Sequence, residues 1–176
     1  MLGLTTLGII HTAISLVALA AGIVALIRYK EIPPKSLVGK LYIWTTVLTC
    51  LTGFPIMQHG GFGKPHALGI ITLVVLVVAA LAGKGKFGRF SRYVEVVSYL
   101  ATFLFHMIPG FVETTTRLPV GAPLIKDREG PELEMVTGVL LLLFLIGATL
   151  QVLRIRAKNR PQQQAAPVAQ FHSPQR

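Results

Sequence analysis

Five apolar runs, long enough or nearly so to cross about 30 Å of hydrocarbon, dominate the chain: Leu4 to Ile27, Leu41 to Met57, His66 to Leu81, Val94 to Val112 and Met135 to Leu153. Inside a bilayer the backbone has no water to bond, so each run must form its own hydrogen bonds as an α-helix. The pattern predicts an all-α integral membrane bundle of about five transmembrane helices over residues 1–160. The second and third runs are short. Between them, Gln58 to Pro65 carries Gly60, Gly61, Gly63 and Pro65, a turn composition that makes two linked spans rather than one long helix. Four spans is the competing count.

The basic residues set the direction. Arg28, Lys30, Lys35 and Lys40 follow the first run; Lys84, Lys86, Arg89 and Arg92 follow the third; Arg154, Arg156, Lys158, Arg160 and Arg176 follow the fifth. The other connections hold only Lys64, Arg117, Lys126 and Arg128, together with Glu113, Asp127, Glu129, Glu132 and Glu134. Cytoplasmic loops carry the excess of Lys and Arg, so the N-terminus is expected outside and the C-terminus in the cytoplasm. The same alternation accounts for the formal charge of +10 without nucleic acid as a partner. The lipid bilayer is the partner that composition requires.

The first run is preceded by no basic segment and is too long for a cleaved leader, which predicts a retained helix. Cys50 is the only cysteine, so no intrachain disulfide forms. Residues 161–176, rich in Gln, Ala and Pro, read as a disordered cytoplasmic tail. Lys84 to Tyr93 interleaves cations with Phe87, Phe90 and Tyr93, the pattern of a positive loop with an interfacial aromatic belt.

Lipid tails solvate leucine as well as another helix does, so small and polar residues mark the faces that meet protein. In the first span Gly8, His11, Ser15, Ala18, Gly22 and Ala25 recur in steps of three and four. Span four repeats this with Glu95, Tyr99, Thr102, His106, Pro109 and Glu113, and span two more weakly with Tyr42, Thr45, Thr49 and Gly53. Span five is nearly unbroken Leu, Phe, Ile and Val and is expected to be the most lipid-exposed. Pro55 and Pro109 are expected to bend their helices.

An ionisable side chain inside a membrane helix is a functional candidate by default. His11 and His106 each lie about 10 Å below the outer end of their span, counting 1.5 Å per residue from the expected boundaries, and are therefore expected level with one another. Two facing imidazoles are what a b-type haem needs as axial ligands, with Gly8, Gly69 and Gly110 leaving room for the macrocycle and Lys64 or Arg117 reaching its propionates. A second reading groups His59, His66, His106 and Glu113 as ligands for zinc, copper or iron. A third needs no cofactor: the histidines bond neighbouring threonines or carbonyls, and the seams hold another membrane protein. No nucleophile has an adjacent base, so no catalytic residue is assigned.

The stretch from His11 through Gly22, then Gly39-Lys40-Leu41-Tyr42, then His66-Ala67-Leu68-Gly69, resembles a family of uncharacterised bacterial multi-pass membrane proteins over the first half of the chain. The family often has another histidine before the Gly-Lys/Arg-Leu-Tyr turn, where this sequence has Pro34-Lys35-Ser36. The resemblance implies a bacterial plasma membrane and carries no activity. The functional expectation is a small membrane protein of electron transfer, exchanging electrons with a protein or quinone partner. The alternatives are an accessory subunit or an outer-side metal-binding protein.

Overall fold

The computed structural model describes residues 5–56, 62–119, 122–125 and 130–165, with side chains described as far as Asn159. Five α-helices follow one another: α1 (Thr6–Tyr29), α2 (Leu37–Gly53), α3 (Lys64–Gly83), α4 (Ser91–Arg117) and α5 (Pro131–Ala165). A 3-10 turn at Gly88–Phe90 precedes α4, and there is no strand among the described residues. Four helices are long and apolar enough to cross a membrane; α2, with 17 residues, is shorter.

Local chemistry sets the helix ends. Thr5 accepts the Gly8 N–H at 3.1 Å and starts α1, and Ser36 accepts the Gly39 N–H at 3.0 Å and starts α2 earlier than the apolar run implied. The turn before α2 requires glycine at position 39, because a Cβ there would lie 1.9 Å from the Pro33 carbonyl oxygen. Helix α1 closes on Lys30, which takes the left-handed conformation at φ 64° and returns its N–H to the Leu26 carbonyl. Helix α4 runs unbroken through Pro109 and continues past Val112, where Thr114, Thr115 and Thr116 each donate to the carbonyl four residues back. Helix α5 begins at Pro131 and extends to Ala165, across the first residues of the expected tail; the rest of that tail lies outside the described residues.

The helices pack as antiparallel neighbours. Along the α1–α2 pair Gly22 meets Tyr42, and His11 meets Thr52 and Gly53. Gly83 of α3 faces Glu95 of α4, and Gly147 of α5 faces Leu100 of α4. These glycines let backbones approach, as small residues do in membrane bundles. Helices α1, α2 and α4 converge closely at Gly22: a Cβ there would stand 2.6 Å from the Phe103 ring and 3.1 Å from that of Tyr42. Ala21, Ala25, Ile32, Tyr42, Leu76, Ala79 and Tyr99 form the buried core around it. Helix α5 is the least enclosed span, with 11% of its apolar window buried against 39% for α4.

Candidate functional site

A column of hydrogen-bonded polar side chains runs through the centre of the bundle. Thr102 donates to the Tyr99 carbonyl at 2.8 Å, which uses its only proton, so Tyr42 is the donor in the 2.8 Å bond between the two hydroxyls. Tyr42 and Thr102 are fully buried. One turn along α4 the ring of His106 lies 6.2 Å from that of Tyr42, tilted by 55°. Its Nδ1 is 3.3 Å from the Thr102 carbonyl, which can only accept, so Nδ1 carries the proton. Nε2 is left as a bare lone pair. His106 is 6% exposed, and its Nε2 has no hydrogen-bond partner.

His11 has the same protonation for a different reason. Its Nδ1 lies 3.1 Å from the Thr52 hydroxyl, which already donates to the Leu48 carbonyl at 2.7 Å. With the hydroxyl proton on Leu48, the histidine is the donor from Nδ1 and its Nε2 is a lone pair. Gly53 makes room for the ring: a Cβ there would stand 3.2 Å from His11 Cε1. Glu113 and His106 are both near enough to act on His11 electrostatically.

The two rings differ in depth. His11 is five residues inside the start of α1, about 8 Å, whereas His106 is eleven residues inside the end of α4, about 16 Å. The expectation of equal depth assumed that span four stops at Val112. The hydroxyl back-bonds of Thr114 to Thr116 and the ion pair of Glu113 with Arg117 carry it a further turn and leave His106 the deeper ring.

The remaining candidates divide. His66 has both ring nitrogens occupied: Nδ1 accepts the Gly63 N–H at 3.2 Å and Nε2 lies 3.2 Å from the Phe54 carbonyl, to which it donates. It caps the start of α3 and ties it to the end of α2, with Phe62 stacked on it at 5.4 Å. His59 lies outside the described residues. Among the described residues no three of His, Cys, Asp and Glu group as a metal site, so His66, His106 and Glu113 form no such cluster. Gly69 lies 3.4 Å, by its would-be Cβ, from the Phe54 ring. Gly110 faces open space beside a cavity of about 170 Å³ lined by Leu19, Met107 and Phe111. The Gly8 carbonyl accepts from Thr12 at 2.8 Å. Lys64 opens α3, and Arg117 closes α4.

Thr52 was not singled out from the sequence, although it sets the protonation of His11. The signal was present in the run Thr45, Thr46, Thr49 and Thr52, which places a hydroxyl on each successive turn of α2.

Comparison with protein-family models, with curated proteins and with solved structures finds no match for this chain.

Proposed function

We propose that the chain is a small protein of the bacterial plasma membrane that crosses it five times, N-terminus outside, and transfers electrons through a b-type haem held by His106 and His11. The observation carrying this reading is the shared protonation of the two histidines. A metal-ligating imidazole typically donates its Nδ1 proton to a carbonyl or hydroxyl and offers Nε2 to the iron. Both rings have that arrangement, through Thr102 and Thr52, and the Nε2 of His106 is buried with no other use. Bound haem would supply a one-electron couple between these two ligands.

The protein's own groups have defined parts in this proposal. Tyr42 anchors Thr102, the residue whose carbonyl orients His106, so the deeper ligand is held by the core of the bundle. Gly53 admits the His11 ring. Lys64 and Arg117, at the end of the bundle where α3 starts and α4 ends, are the cations for the propionates. The bacterial location is supported by the family resemblance of the first half. The five-fold crossing is supported by the antiparallel register of α1 and α2, and the orientation by the basic loops.

A reduced-minus-oxidised visible spectrum of the protein, purified in mild detergent after expression with added haem, tests the proposal. Sharp α and β bands are expected. His106→Ala is expected to abolish them, and His11→Ala to leave a high-spin spectrum from a singly ligated iron, because His106 is the more enclosed ligand. A flat spectrum from the haem-supplied wild type overturns the proposal and leaves the histidines as structural ties of an accessory subunit.

A further inference from the structure

At the end of the bundle opposite His11, α1, α4 and α5 leave a groove of about 470 Å³, within the roughly 300–1,000 Å³ of small-molecule sites. Its length is apolar, walled by residues such as Phe103, Leu104, Leu143 and Phe144, while Lys30, Gln151 and Arg154 close one end. Among the described residues neither Lys30 nor Arg154 forms an ion pair. The groove is therefore amphipathic along its axis, with two cations at one end.

Gln151 ties α5 to the end of α1 beside this charged end. It is 6% exposed, and its Nε2 donates at 2.9 Å to the Lys30 carbonyl, one of the bare acceptors at the end of α1. Whatever fills the groove must bring an anion to Lys30 and Arg154.

We infer that the groove binds an anionic glycerophospholipid. The phosphate lies against Lys30 and Arg154, and one acyl chain follows the apolar wall. A phosphatidylethanolamine would bring its ammonium to two cations. A quinone is neutral and would leave both cations without a counter-charge.

Native mass spectrometry of the full chain, delipidated in detergent and titrated with dioleoyl lipids, tests this. A one-to-one phosphatidylglycerol adduct is expected to survive activation energies that strip phosphatidylcholine and phosphatidylethanolamine. Lys30→Ala with Arg154→Ala should weaken that adduct at least about tenfold, which corresponds to about 1.4 kcal/mol. Lys86→Ala with Arg89→Ala, in an exposed loop at the same end, should leave it unchanged. Equal losses from both double variants would overturn the site in favour of ordinary annular lipid. Equal binding of phosphatidylcholine, or a quinone as the tightly held species in extracts of the purified protein, would overturn it as well.

Discussion

His11 of α1 and Thr52 of α2 are joined by a 3.1 Å hydrogen bond, in which the histidine donates when the threonine proton goes to the Leu48 carbonyl at 2.7 Å. Replacing Thr52 by Val removes the acceptor at nearly constant shape. Nitrogen-15 NMR of labelled histidines should show His11 as the Nδ1–H form in the native protein and as a mixture of both forms in the variant, with His106 unmoved. A His11 signal unchanged by the substitution would mean that Thr52 does not set its protonation.

Tyr42 joins α2 to α4 through its hydroxyl and fills the core with its ring. Tyr42→Phe keeps the ring and leaves Thr102 without its donor, so a loss of about 1 kcal/mol is expected, near the mean for one buried hydrogen bond. Tyr42→Ala also empties the centre and should cost about 3–5 kcal/mol, as truncating a buried aromatic does. Unfolding in mixed detergent and denaturant measures both. Equal losses would show that the hydroxyl, not the ring, carries the contribution.

Gly22 sets how closely α1 approaches α4. An added Cβ would meet the Phe103 ring at 2.6 Å and the buried Tyr42 ring at 3.1 Å, so Gly22→Ala should cost about 1–3 kcal/mol. Gly22→Leu cannot be accommodated and should lower the thermal midpoint by several degrees more. Phe103→Ala in the Gly22→Leu background opens space at the contact. It should recover part of the loss if the clash is the cause.

These contacts show why helices were easier to read from sequence than the site. The spans stand out because hydrocarbon tolerates long apolar runs and because small residues such as Ala18, Gly22 and Ala25 mark the buried side of α1, as observed. Their ends were harder to place, since ends depend on single hydrogen bonds. Ser36 brings α2 forward to Leu37, and three threonine hydroxyls with a Glu113–Arg117 pair extend α4. That one extra turn removed the equal depth of His11 and His106. His66 illustrates the same limit: its position at the start of α3 was legible, but its two bonds to Gly63 and Phe54 depend on how the α2–α3 connection closes.

The position of α2 decides between four and five crossings, and its register against α1 makes the outcome testable. Gly22 meets Tyr42 while His11 meets Thr52, so α2 runs back alongside most of α1, and at 17 residues it covers about 25 Å. In the proposed five-span arrangement its two ends lie near opposite faces of a layer about 30 Å thick. Lys35, before α2, and Phe62, after it, are both exposed and suit single-cysteine labelling in a Cys50→Ala background. With a maleimide that cannot cross the membrane, Lys35→Cys and Lys86→Cys should react only in inside-out vesicles. Phe62→Cys and Leu124→Cys should react in right-side-out ones. Reaction of the Lys35 and Phe62 variants from the same face would remove α2 from the crossing helices, and with it the five-span topology.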